Sequence, residues 1–176
     1  MSGRYFIDAE FHESGYARPI ELISLGVVCD DGREFYAVAG DGWDKSRVSD
    51  WLKENVLPHL YSCHPCMDVP GSAQIYGPRS EIAKMLAEFI QDDGAGKPEI
   101  WGYYSSYDWV IFSQLFDRMI DLPKHFPKIC FDIKQRAVAL GNPRLPKQKG
   151  IEHNALADAR HNKAMYDFLI EYERKS

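Results

Sequence analysis

Residues 6–11 read Phe6-Ile7-Asp8-Ala9-Glu10-Phe11. Side chains alternate faces along a strand, so Phe6, Asp8 and Glu10 point one way and Tyr5, Ile7 and Ala9 the other. Two carboxylates thus stand side by side on an otherwise apolar strand. Buried carboxylates are costly unless they are paired or bind metal. An all-oxygen pair suits a hard cation such as Mg²⁺ or Mn²⁺. Asp-x-Glu alone is equally compatible with a solvated strand edge, so the rest of the chain decides its meaning.

Working outward, Pro19 precedes the apolar run Ile20-Glu21-Leu22-Ile23-Ser24-Leu25-Gly26-Val27-Val28-Cys29. It ends at Asp30-Asp31-Gly32, a hairpin signal, and Glu34-Phe35-Tyr36-Ala37-Val38 returns. The first 38 residues therefore predict an antiparallel three-stranded meander. Val48, Trp51 and Leu52 have helical spacing, and Pro58 is expected to stop that helix. Residues 57–78, rich in Pro, Gly, His and Cys, read as a long loop. Ile82, Met85, Leu86, Phe89 and Ile90 mark a second helix, with Pro78 near its first turn and Asp92-Asp93-Gly94-Ala95-Gly96 at its end.

Glu99 to Tyr104 reads as a fourth strand. Ser105-Ser106 then opens a helix carrying Phe112, Leu115, Phe116, Met119 and Ile120. Ile129 to Asp132 reads as a fifth strand and Lys134 to Leu140 as a short helix. Gly141 to Gly150 is a loop with Arg144, Lys147 and Lys149 and no acids. The last helix is expected over about 155–172, capped by Asn154, with Ala164, Met165, Phe168, Leu169 and Tyr172 buried. The order βββ–α–α–β–α–β–α–α predicts an α/β protein with a mixed five-stranded sheet flanked by helices. A chain of 176 residues fits a single domain over 1–176.

Composition narrows the function classes. A formal charge of −5 argues against a protein that coats nucleic acid through a broad basic surface. Acids that hold divalent ions would bring that charge close to neutrality and still allow a grip on a strand end. No apolar run is long enough to span a bilayer. The opening Met-Ser-Gly-Arg-Tyr-Phe-Ile-Asp lacks an apolar signal region, and Cys29 and Cys130, inside apolar runs, read as buried free thiols, so a cytoplasmic location is expected. His59, Cys63, His64 and Cys66 are zinc-type ligands, yet one CxxC without a second pair is a weak zinc signal.

Three further residues join Asp8 and Glu10. Asp108 falls in the first turn after the fourth strand and Asp158 in the first turn of the last helix, where the helix dipole favours acids in any case. His153 lies just outside that helix, five residues before Asp158. A histidine there suits a general base beside a metal ligand, and equally a surface or capping residue.

Asp8-x-Glu10, a distant Asp108 and His153-x4-Asp158 together resemble the DEDDh branch of the DEDD superfamily of 3′–5′ exonucleases. Within it, the chain is most similar to the mycobacterial-type 3′–5′ exoribonucleases. That similarity runs through Phe6 to Phe11, Ile20 to Val28, Asp31 to Val38, Tyr103-Tyr104-Ser105-Ser106-Tyr107-Asp108 and His153-Asn154-Ala155-Leu156-Ala157-Asp158-Ala159. The resemblance implies a ribonuclease H-like fold and chemistry similar to ribonuclease T and oligoribonuclease. It implies two Mg²⁺ or Mn²⁺ ions held by Asp8, Glu10, Asp108 and Asp158, with Asp8 bridging. His153 would be the general base, and Glu10 would also bind the terminal 3′-OH. Products would be 5′-mononucleotides, and relatives are often homodimers. Many relatives carry Thr or another polar residue where Phe11 stands.

Phe11 and Trp109 are candidates to stack on terminal bases, and Arg144, Lys147 and Lys149 to reach phosphates. Core packing and a solvated charged loop are the alternatives. The expected substrate is an RNA 3′ end. A DNA exonuclease with the same site, a catalytically silent nucleic-acid-binding module and a zinc-bearing interaction protein are the rival readings.

Overall fold

A computed structural model describes residues 3–91 and 96–175. Strands β1 (Arg4–His12), β2 (Glu21–Cys29) and β3 (Glu34–Ala39) form the expected meander, each pair antiparallel. Helices α1 (Asp50–Asn55) and α2 (Arg79–Phe89) flank strand β4 (Ala73–Gly77) in the chain. Strand β5 (Glu99–Gly102), helix α3 (Ser106–Gln114), strand β6 (Phe131–Asp132), helix α4 (Ile133–Ala139) and helix α5 (Ala155–Lys175) complete it. The strand order is β4-β3-β2-β1-β5-β6, with β4, β5 and β6 joined in parallel.

The sheet is buried on both faces. Tyr5, Ile7 and Ala9 of β1 join Leu25, Val27, Phe35 and Ala37 under α2 and α3. Phe6 points to the opposite face, with Trp101, Met165, Tyr166 and Leu169. Beside that group, Leu156 and Ala159 of α5 and Leu52 of α1 pack on Ile23, Val28, Tyr36 and Val38. The alternation expected of β1 is thus present, and Asp8 lies on the α5 side. Near the end of β1 the register shifts: Glu10 faces Ser24 but Phe11 faces Leu22, which leaves Ile23 as a bulge. Bulges bend a strand and re-aim its side chains, here beside Glu10.

Four expectations are corrected. The sheet has six strands, because residues 73–77 add to the edge of β3 inside the stretch read as loop. This edge strand is short, half-buried and bounded by Gly71 and Pro78, so it carries no periodic signal. The helix after Ser105 ends at Gln114, and Asp117 turns the chain back at φ 77°. Met119 and Ile120 therefore lie in a separate 3-10 turn, 53% and 70% exposed. On α5, Ala164 and Tyr172 face outward, and Asn162 takes a place in the buried stripe by donating to the Ile7 carbonyl at 2.9 Å. Trp51 is not a core residue of α1 but is 52% exposed. The helix begins at Asp50 with Ser49 as its cap, and Pro58 sits in a following 3-10 turn. The expected stop at Asp92-Asp93-Gly94-Ala95 lies outside the described residues.

One close approach sets the position of α5. Gly26 of β2 pairs with Asp8 across the sheet. A Cβ on Gly26 would overlap the Ala155 carbonyl and the Leu156 Cα at the start of α5. Only glycine lets the helix N-terminus settle this close to the residue opposite Asp8. Gly26→Ala is expected to cost about 3 kcal/mol or more by overpacking. Urea unfolding would read that loss, and an unchanged midpoint would contradict the packing.

Candidate active site

Each acid is placed by a separate local device. β1 carries Asp8 and Glu10 to the α5 side of the sheet. Asp108 sits in the first turn of α3 and is buried. β1 follows β5 only as far as Phe6, opposite Trp101. The backbone N–H of Ala9, between the two acids, instead donates to Asp108 Oδ1 at 2.8 Å. The turn into α3 is held by Asp132, whose Oδ2 accepts from Ser105 N at 2.8 Å while its Oδ1 caps α4 through Gln135 N.

Asp158 lies in the first turn of α5. Asn154 caps that helix as expected. Its Oδ1 accepts from Leu156 N and Ala157 N at 3.1 Å, and its Nδ2 donates to the His59 carbonyl at 2.8 Å. His153 immediately precedes the cap with φ 60°, a conformation that costs a non-glycine residue about 1–2 kcal/mol. Its ring packs edge-to-face on Trp51, with centroids 5.0 Å apart.

Asp8, Glu10 and Asp158 each offer an oxygen within 4.8 Å of the others. Among the described residues this is the one group of three or more acidic, histidine or cysteine side chains close enough to share a cation. Asp108 is outside that radius, its Oδ1 occupied by Ala9, but it acts on both Asp8 and Glu10 through its charge. Burial raises the pKa of every member, and the charges of the neighbouring acids add to it at Asp8 and Glu10. Burial, then Asp108, Asp158 and Glu10, hold the Asp8 carboxyl well above the usual range, against a hydrogen bond from Asn162. Burial followed by the charges of Asp158 and Asp108 pushes Glu10 to about 8. Burial lifts Asp108 to about 6 despite the Ala9 hydrogen bond. Asp158 is raised by burial and held back by Gln148 and His153. No cationic side chain neutralises Asp8 or Glu10 among the described ion pairs. Oxygen donors repelling one another in a buried niche fit a hard divalent cation.

A cavity of about 320 Å³ opens onto this cluster, lined by Asp8, His153 and Asp158 together with Tyr103, Gln148, His161 and Asn162. Sequence reasoning missed the last four, and it missed Trp51 beside His153. In the sequence, Tyr103 signals only a strand and residues 158–162 only a helix. The other predicted contacts are placed differently. Phe11 stacks on Tyr107 with centroids 5.7 Å apart, and Trp109 stacks on Phe112 at 5.4 Å. Both pack against the main core, and neither lines the cavity. Arg144 and Lys147 are exposed on their loop. Lys149 lines an adjoining cavity of about 430 Å³ with Gln148, Arg160, His161 and Cys63.

The zinc-type residues are dispersed into other bonds. Arg160 Nη1 donates to Cys63 Sγ at 2.9 Å, His64 Nδ1 meets Gln74 Oε1 at 3.1 Å, and Cys66 N donates to Glu34 at 2.8 Å.

A two-faced α/β sheet that brings acids of β1 and α5 together at one cavity, with the α3 acid Asp108 behind them, defines a carboxylate-centred site suited to divalent cations. The 3′–5′ exoribonuclease Rv2179c-like domain matches residues 70–170, a span that includes Asp108, His153 and Asp158. Two Mycobacterium tuberculosis proteins are each 39% identical over 157 residues, covering 89% of this chain and 87% of their own. They are 3′–5′ exoribonuclease MT2234.1 of strain CDC 1551 / Oshkosh and 3′–5′ exoribonuclease Rv2179c of strain ATCC 25618 / H37Rv. The chain belongs to the Rv2179c-like 3′–5′ exoribonuclease domain family.

Proposed function

We propose that this chain is a divalent-cation-dependent 3′–5′ exoribonuclease of DEDDh type on a ribonuclease H-like fold, releasing 5′-mononucleotides from RNA 3′ ends. The observation that carries the reading is the convergence of Asp8, Glu10 and Asp158 oxygens within 4.8 Å at a cavity that His153 also lines. The central strand order β3-β2-β1-β5-β6, an antiparallel meander continued in parallel, supports the fold assignment.

Asp8, Glu10, Asp108 and Asp158 would hold two Mg²⁺ or Mn²⁺ ions. Bound there, the ions supply acidification of water and neutralisation of charge at the scissile phosphate. His153 takes the proton of the attacking water, since its ring faces the same cavity as Asp8 and Asp158. Its backbone is held by the Asn154 cap that follows it. Glu10 accepts a hydrogen bond from the terminal 3′-OH and so confines cleavage to strand ends. Arg144, Lys147 and Lys149 offer charge to the phosphates that follow.

The exposed face of Trp51 is the better base-stacking surface, because Trp109 and Phe11 are committed to packing. Trp51→Ala is expected to raise KM about tenfold while kcat stays within about threefold. Steady-state kinetics on short RNA reads this split, and an unchanged KM would remove Trp51 from the site.

No described helix is long and apolar enough to cross a membrane. The four cysteines are free, which supports a reducing, cytoplasmic setting. A homodimer belongs to the same reading and is tested by light scattering on the purified protein. The function itself is tested with 5′-labelled single-stranded RNA and Mg²⁺ or Mn²⁺. A ladder shortening one nucleotide at a time, with 5′-mononucleotides released and none of it by His153→Ala, is expected. Internal cuts, or no cleavage with either ion, would reject the reading.

A further inference from the structure

Gln148 is the residue that the two adjoining cavities share with His161, and its amide has a defined orientation. Its Nε2 donates both to the Ile151 carbonyl, at 2.8 Å, and to Asp158 Oδ1. Both partners are acceptors only, so the amide cannot be turned the other way round. The two N–H bonds of the amide are then used, and its carbonyl Oε1 is left over. No described residue donates to that oxygen, and it is not a sealed-off buried atom. A hydrogen-bond acceptor therefore stands at the junction of the two cavities, directly beside an acid that would hold the cations at the scissile phosphate. The neighbouring acceptors, the oxygens of Asp8, Glu10 and Asp158, belong to the cation site. Asn162 commits its Nδ2 to the Ile7 carbonyl.

We infer that Gln148 Oε1 accepts a hydrogen bond from a ribose 2′-OH next to the scissile bond and thereby selects RNA over DNA. This rests on the exonuclease reading and adds its sugar specificity. A ribose beside the cleaved phosphate must lie within reach of Asp158, and its 2′-OH is the one donor that deoxyribose lacks. A polar group that loses its water and gains no partner when substrate binds is left desolvated, so DNA is penalised at this position.

The Lys side chain separates this role from a purely architectural one. In Gln148→Lys an ammonium can still donate to Asp158 and Ile151, but it has no acceptor. The experiment measures kcat/KM on an all-RNA oligonucleotide and on the same strand with one 2′-deoxy residue, placed last or next to last, plus the all-DNA strand. Wild-type protein is expected to lose about tenfold on one of the two single-deoxy strands. Gln148→Lys is expected to cleave all-RNA and that strand within about twofold of each other.

Wild-type rates that ignore a single 2′-deoxy at both positions would overturn the assignment without any variant. So would a Gln148→Lys protein, folded by its melting curve, that keeps the wild-type RNA-to-deoxy ratio. Failure of wild-type protein to cleave RNA and DNA alike would instead overturn the exonuclease reading, and the assignment with it.

Discussion

Asp8→Asn is expected to cut exonuclease turnover by about a thousandfold and, at the same time, to make the metal-free protein more stable. The first effect follows from the proposed site: Asp8 feels the charge of all three other acids, and loss of a cation ligand there would remove about 4 kcal/mol of transition-state stabilisation. The second follows from electrostatics. Asp8 is raised by burial first and then by Asp108, Asp158 and Glu10, so in the folded chain its negative charge is opposed from every side. Asparagine has the same shape, keeps an oxygen for Asn162 and carries no charge. Relief of about 1–2 kcal/mol would raise the melting temperature by roughly 3–6 °C for a chain of this size. Sites that hold charge for function at a cost in stability show this exchange. Thermal melts in EDTA alongside single-turnover RNA cleavage measure both. A variant that is less stable, or one that keeps its rate, would contradict the arrangement.

The second expected result is that the metal-free protein loses stability as pH rises from about 4.5 to about 8, and that Mg²⁺ or Mn²⁺ restores it. Glu10 moves from an ordinary 4.5 to about 8 in the folded state, and Asp108 from 3.8 to about 6. Asp8 and Asp158 move the same way. Between the unfolded and folded pKa values the native chain binds more protons than the unfolded one, so stability falls with rising pH. The contribution is whole below about 4 and is lost through each folded pKa in turn. Other shifts do not mask it, and the lowered Asp31, Asp44, Asp50 and Asp121 act only below about 4. Glu34, held low against its burial by Arg160, adds stability that is lost only below about 4.5. His161, lowered by burial, works in the opposite direction just below 6.5, as one group against four. A fall on the order of 5 °C across the window, reversed by millimolar cation at pH 8, is expected. A melting temperature that rises through this range in EDTA, or one that ignores cation at pH 8, would contradict the crowded cluster.

Much of the site was legible because it rests on periodicity. Two-residue alternation placed Asp8 and Glu10 on one face, opposite Ile7 and Ala9. Helix starts placed Asp108 and Asp158 in first turns, and Asn154 was readable as a cap. The meander was legible from its hairpin residues. What escaped lacks a local signal. β4 is a half-buried edge strand whose partner, β3, lies far back in the chain. Met119 and Ile120 continue the helical spacing of Phe112, Leu115 and Phe116, but the left-handed turn at Asp117 follows the end of that helix and breaks the pattern. Trp51 shares its spacing with Leu52, yet the short α1 buries only Leu52, and Trp51 meets His153 through tertiary structure alone. Gln148 and Asn162 are ordinary polar residues in sequence. Their meaning comes from two acceptors in one case and from the Ile7 carbonyl in the other. Gly26 is inconspicuous inside a strand until α5 is seen lying on it.

Under the proposed function, Asp8, Glu10, Asp108 and Asp158 form one divalent-cation centre. Calorimetric titration of the purified protein with Mn²⁺ at pH 8 tests it most directly, with Asp158→Ala beside the wild type. Two ions bound per chain by the wild type, and at least one lost in the variant, is the predicted result. No binding by the wild type, or the same binding by both proteins, would contradict it.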